Sequence, residues 1–176
     1  MEFNDFLRTT ATIERWEEWL DVWMATGDVH RVLAEEAEAA GNGRTAGEAY
    51  VRAALCYHFG KFVWLVDLDR NREATERAIA CIYAAHRHLD PAAKRVEVPF
   101  EGATLVGNLR RPAGGPAPLV LLLPGLDSTK EEFFNWEEVF LGRGLATFSF
   151  DGPGQGESGF ATHIRPDYEV AVSAAL

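Results

Sequence analysis

Apolar residues recur at spacings of three and four through the first half of this chain, and at spacings of two or in unbroken runs through the second. Ile13, Trp16, Trp19, Leu20 and Trp23 fall on one helical face, and Gly27 is expected to end that helix. Residues 29–40 read as a second helix, closed by Gly41-Asn42-Gly43. Thr45 is placed to cap a third that runs to about Asp67 and offers Ala49, Ala53, Leu55, Phe59, Phe62 and Val63 for burial. A fourth, from about Arg72 to Leu89, stops at Asp90-Pro91 because a proline ring disfavours helix in the residue before it.

After Pro91 the period becomes two. Residues 95–100 and 104–109 alternate around Glu101-Gly102, which predicts a hairpin. Residues 112–118 form a loop rich in Pro and Gly. The unbroken apolar run 119–123 predicts a central strand covered on both faces. Ser128 and Glu131 have capping-box spacing and predict a helix over about 130–142. A strand over 145–150 and a helix from Pro166 onward complete the pattern. The order helices, hairpin, strand, helix, strand, helix predicts an α/β fold with a mostly parallel sheet. The expected division is a helical unit over 1–90 and a sheet unit over 91–176.

Composition narrows the function classes. The 176 residues are 47% hydrophobic and 25% charged, as in an ordinary globular protein, with a formal net charge of −10. That charge argues against nucleic acid and anionic membrane surfaces as partners, since both need clustered Lys and Arg. No apolar stretch is long enough to span a bilayer. Met1-Glu2-Phe3-Asn4-Asp5 lacks the basic-then-apolar order of a secretory leader, so a cytoplasmic location is expected. Cys56 and Cys81 have no CxxC spacing and read as buried free thiols, with no metal site.

Two turns carry the candidate chemistry. Pro124-Gly125-Leu126-Asp127 follows an apolar strand and precedes a capped helix. Ligands of α/β folds bind at such carboxyl-edge turns, and a backbone N–H there can stabilise a developing oxyanion. The bland alternative is a simple tight turn. Gly154, Gly156 and Gly159 spell G-x-G-x-x-G, but the residues after them do not read as a helix start, which disfavours a dinucleotide site. Ser158 lies in a loop past its strand and lacks G-x-S-x-G spacing, so local hydrogen bonding is its expected role. Tyr57 and His58, polar groups of an aromatic stretch, are candidate substrate contacts, against the plainer reading of a satisfied core histidine. His86 and His88, two apart, point to different helix faces and make a poor metal pair. The stripe Trp16, Trp19, Trp23 reads as core or as a contact surface.

Residues 119–159, with Asp151-Gly152-Pro153-Gly154-Gln155-Gly156-Glu157-Ser158, resemble the third strand, first helix and fourth strand of the α/β-hydrolase superfamily. The helical segment with Thr45-Ala46-Gly47-Glu48-Ala49-Tyr50, and Gly125-Leu126-Asp127-Ser128-Thr129-Lys130-Glu131-Glu132, narrow the resemblance. They are similar to the branch of 2,6-dihydropseudooxynicotine hydrolases and fungal pigment-pathway hydrolases that shorten polyketide chains. The resemblance implies a helical cap unit that helps wall the substrate pocket, followed by the first strands of an incomplete α/β-hydrolase sheet. It implies a Ser-Asp-His triad without organic or metal cofactor, and a small-molecule carbonyl or ester substrate. The bond cleaved would be the C–C bond of a ketone or β-diketone, or an ester bond. It makes a homodimer plausible. Leu126 would donate an oxyanion-hole N–H, Gly125 would make the turn, and Asp127 would lie beside it. Nucleophile, acid and histidine would all fall beyond Leu176, so the chain alone is expected to be inactive. The alternatives are a non-catalytic binding module derived from such a hydrolase and, third, a nucleotide-dependent oxidoreductase.

Overall fold

The computed structural model describes residues 3–176, which divide into two compact units, one up to Pro91 and one from Ala92. In the first unit α1 (Phe3–Thr10) precedes three long helices, α2 (Trp19–Ala39), α3 (Gly43–Lys61) and α4 (Leu68–Leu89). Its core holds Leu20, Trp23, Leu55, Tyr57, Trp64 and Ile82.

The helix boundaries differ from the periodicity in instructive ways. Gly27 does not end a helix: α2 runs straight through it, and a Cβ there would sit 2.5 Å from the Tyr57 ring. The glycine lets α3 approach. Thr45 is not a cap, since α3 starts at Gly43. That helix ends at Lys61, before the expected Asp67: Phe62 leaves the helical region at ψ 118°, and Val63 follows with a left-handed φ of 49°. Asp67 instead caps α4, its Oδ1 accepting the amides of Asp69 (3.0 Å) and Arg70 (3.1 Å). α1 has no counterpart among the expected helices; its Asp5 reaches His30 Nε2 on α2 (2.9 Å). The tryptophan stripe splits, with Trp23 fully buried and Trp16 exposed.

The second unit is a four-stranded sheet of order β1-β2-β4-β3, with β1 (Lys94–Phe100), β2 (Ala103–Arg110), β3 (Leu119–Leu122) and β4 (Ala146–Asp151). β1 and β2 form the expected hairpin, and its two-residue turn has φ 46° at Glu101 and 84° at Gly102. Both central residues with positive φ match the twist of the flanking strands. β2 pairs antiparallel with β4, and β3 parallel with β4. Among the described residues β3 is therefore an edge strand, half-exposed, and not the covered central strand its apolar run predicts.

The helices α5 (Phe134–Leu141) and α6 (Tyr168–Ala175) accompany the sheet. Val98, Phe100, Leu105, Phe148, Phe150 and Ala171 of α6 form one apolar core. On the opposite face Asn108, Arg110, Thr147, Ser149 and Asp151 are all buried, and Glu137 of α5 is buried with them. The predicted capping box does not form. Residues 130–133 make a 3-10 turn, Ser128 Oγ donates to the Glu132 carboxylate, and Glu131 is buried beside Lys130.

Candidate active site

The turn after β3 is built from three constraints. Pro124 is buried, while Gly125, Leu126 and Asp127 are exposed. The Ser128 amide donates back to the Gly125 carbonyl (3.2 Å) and closes the turn. Gly125 does not have a left-handed φ, and a Cβ there would meet only Asp127 Oδ1, at 3.8 Å. The bend therefore does not require glycine's conformational freedom; the glycine leaves space open in front of the turn.

Gln155 holds the carbonyl side. Its Nε2 donates to the carbonyls of Pro124 (3.2 Å) and Gly125 (2.5 Å). Its Oε1 accepts the Gly152 amide (3.0 Å) and the Tyr168 hydroxyl (2.6 Å). Burial, then the nearby Asp151 charge, pushes the Tyr168 hydroxyl up to about 12, so it keeps the proton it donates. Among the described residues nothing accepts a hydrogen bond from the Leu126 or Asp127 amide. The turn thus has its Pro124 and Gly125 carbonyls satisfied and its Leu126 and Asp127 N–H groups free.

Asp151, at the end of β4, anchors the segment that follows. Its Oδ1 accepts the Lys130 amide (2.7 Å), and its Oδ2 accepts Lys130 Nζ (2.8 Å) and the Glu157 amide (3.2 Å). Lys130 Nζ also lies 2.7 Å from Glu131 Oε1 and 3.3 Å from Glu157 Oε2. Burial raises the Asp151 carboxyl against the pull of Lys130. Burial acts the same way on Glu131 and is the largest single influence there, but the Lys130 charge together with hydrogen bonds from Lys130, Thr129 and its own amide holds that carboxyl below its ordinary value. The glycines of the loop serve this packing. Gly156, at φ 43°, curls round the carboxylate with room for no Cβ, which would fall 2.2 Å from Asp151 Oδ2. A Cβ on Gly152 would fall 2.3 Å from the Tyr168 hydroxyl. The G-x-G-x-x-G spacing here is a coil wound on an aspartate.

A cleft of about 390 Å³ opens at the turn, lined among others by Leu123, Pro124, Leu126, Pro153, Ile164 and Tyr168. A larger cavity of about 750 Å³ lies where Leu119, Ala146 and Phe148 meet Arg111, and among the described residues Arg111 is the one titratable group lining it. Of the two, the smaller is the one that Leu126 of the turn lines.

The four serines are engaged elsewhere. Ser158 Oγ donates to the Asp151 carbonyl (2.7 Å) and accepts the Val106 amide (2.9 Å). Ser149 donates to Glu137 (2.5 Å), Ser173 to the Glu169 carbonyl (2.8 Å), and Ser128 to Glu132. Among the described residues no serine is hydrogen-bonded to an imidazole. Burial first raises both Cys56 and Cys81 to about 12, which leaves them protonated. Tyr57 lies in the interior of the helical unit, its hydroxyl donating to Asp28 Oδ1 (2.7 Å). His58 is buried beside Phe59 and Phe62.

Residues 2–164 match the family model of the FrsA-like esterases. The chain belongs to that family. It is 39% identical over 159 residues to 2,6-dihydropseudooxynicotine hydrolase of Paenarthrobacter nicotinovorans, covering 90% of this chain and 43% of that protein. Hydrolase LUC6 of a Fusarium species is 35% identical over 189 residues, covering 99% and 45%. The crystal structure of the 2,6-dihydroxy-pseudo-oxynicotine hydrolase superposes with a TM-score of 0.84 at 36% identity, over 99% of this chain and 49% of that one. The FrsA-like chain described here therefore spans under half the length of these relatives. Its fold is the expected one, a helical unit leading into the first strands of an α/β-hydrolase sheet. Among the described residues no helix is long and apolar enough to cross a membrane.

Gln155 and Lys130 are the site residues that sequence reasoning missed. Neither has a periodic signature. For Gln155 the available signal was its flanking glycines, Gly154 and Gly156, which mark a tightly packed loop; Lys130 has no such neighbours.

Proposed function

We propose that this chain supplies the oxyanion turn of a serine-type hydrolase acting on a small-molecule carbonyl compound. The bond cleaved is the C–C bond of a ketone or β-diketone, or an ester bond. The observation that carries this reading is the pair of free amides at Leu126 and Asp127, beside an apolar cleft at the carboxyl end of β3. Membership in a hydrolase family, and a relative named for hydrolysing 2,6-dihydropseudooxynicotine, support it. Attack on the carbonyl carbon pushes negative charge onto its oxygen. An N–H fixed about 2.7–3.1 Å from that oxygen stabilises the tetrahedral intermediate without reorganising. Leu126 is the donor, Gly125 leaves the approach open, and Asp127 lies at the rim. Collapse of that intermediate breaks the bond to the leaving group, which departs protonated as the alcohol of an ester or the enol of a diketone. Water then cleaves the acyl–serine bond to give the carboxylic acid and the free hydroxyl. The nucleophile, its histidine and its acid come from outside residues 1–176. Tyr57 and His58 act indirectly, by holding the helical unit in shape.

The test is to express the natural reading frame that contains this chain and assay it on aryl esters and 1,3-diketones, with and without a serine-directed inactivator. Turnover abolished by the inactivator is expected. Turnover that survives it overturns the serine mechanism. For the chain by itself, the engagement of all four serines favours a second reading, a binding module without catalysis. That reading predicts saturable binding of such carbonyl compounds and no turnover by the 176-residue polypeptide.

A further inference from the structure

We propose that Gln155 is the positioning residue of the oxyanion turn; the inference rests on the function proposed above. A primary carboxamide has two N–H donors and an oxygen with two acceptor sites. At Gln155 all four are used: the donors on the Pro124 and Gly125 carbonyls, the acceptors on the Gly152 amide and the Tyr168 hydroxyl. Two carbonyls require the NH₂ to face the turn, so the carboxamide has one orientation. A trans peptide carries its C=O and N–H on opposite sides, so holding the Gly125 carbonyl oxygen inward turns the Leu126 amide outward and unpaired, with Asp127 next to it in the same turn. The turn is ordered by a side chain about thirty residues away in sequence, with β4 and α6 as its foundation. Leu126, 70% exposed, makes no packing contribution that would do this instead.

The decisive substitutions keep length and shape while changing donors. Gln155→Met removes both donors. Gln155→Glu sets carboxylate oxygens against carbonyl oxygens at neutral pH and regains one O–H donor when protonated. ¹⁵N relaxation order parameters at Leu126 and Asp127 of the 176-residue chain are the readout. They are expected near 0.85 in the native protein and below about 0.6 in Gln155→Met and in neutral Gln155→Glu. Acidification is expected to restore order in Gln155→Glu, a recovery that packing alone does not produce. Order parameters that stay near 0.85 in Gln155→Met overturn the proposal. Where neither Gln155 variant folds, Tyr168→Phe decides: a loosened turn supports the clamp, and an unchanged one overturns it. In the natural frame, Gln155→Met is expected to lower kcat by about 100-fold with KM within about twofold, as for a misplaced donor. A loosened turn with unchanged kcat keeps the clamp and overturns the oxyanion reading of Leu126.

Discussion

The two faces of the sheet are built by opposite means. The α6 face is apolar, with Leu105 and Phe150 fully buried between strands and helix. The α5 face buries charge. Arg110 donates to Glu137 (3.1 Å) and to Glu138, its guanidinium stacks 4.5 Å from the Phe134 ring centre, and Ser149 ties Glu137 down. Further along the same face, Lys130 sits among Asp151, Glu131 and Glu157. Burying charge stabilises little in net terms, because desolvation offsets the Coulomb attraction. It does fix geometry, and the candidate oxyanion turn stands at the end of this face. The apolar side holds the sheet together and, through Tyr168, backs Gln155 at the turn, while the charged side anchors the residues just after the turn through Lys130 and Asp151.

The sharpest way to break this contrast is at Lys130. Lys130→Met leaves Asp151 and Glu131 buried without their ammonium, and a loss of about 3–5 kcal/mol is expected from urea unfolding. Leu105→Ala on the other face is expected to lose roughly 3 kcal/mol by leaving a cavity. The costs are similar, but only the first should disorder residues 124–130, as amide exchange would show.

The second comparison is a double-mutant cycle at Arg110 and Glu137. Each single change to an apolar residue, Arg110→Met or Glu137→Leu, strands a buried charge and is expected to cost about 3 kcal/mol. The double change should cost less than either. An additive result would show that the pair is not coupled.

Acidity separates the faces next. Burial raises the Glu137 carboxyl above its ordinary value. On acidification the folded state therefore binds a proton before the unfolded chain does. Between the raised and the ordinary pKa, stability from this group increases as pH falls, and it is lost again as pH rises through the folded value. A plot of Tm against pH should be flatter in that window for Glu137→Gln than for the native chain. Leu105→Ala should leave the slope unchanged.

The smallest effect expected is at Tyr168, whose ring packs on the apolar side while its hydroxyl reaches Gln155. Tyr168→Phe should cost about 1 kcal/mol by thermal unfolding, the value of one buried hydrogen bond.

The same contrast explains what could be read from the sequence. The α6 face follows from alternation in β1 and β2 and from the apolar β3 run, and the hairpin turn from Glu101-Gly102. The α5 face does not, because Arg110, Glu131 and Glu137 look like solvated residues until their partners are placed. Glu131 was expected to cap a helix for that reason. Gly27 misled in another way: a glycine that admits a neighbouring ring looks, in one dimension, like one that ends a helix. The turn at Leu126 was legible because local rules suffice for a strand followed by Pro-Gly. Its support from Gln155 was not, because four hydrogen bonds across thirty residues leave no periodic trace.

The cysteines give the two units different visibility to chemistry. Both sit in the helical half, in α3 and α4, and the sheet half has none. With thiols buried and held protonated near 12, a maleimide or disulfide reagent reacts only when those helices part. Labelling is therefore an internal clock for the opening of the helical half alone, blind to whatever the strands are doing.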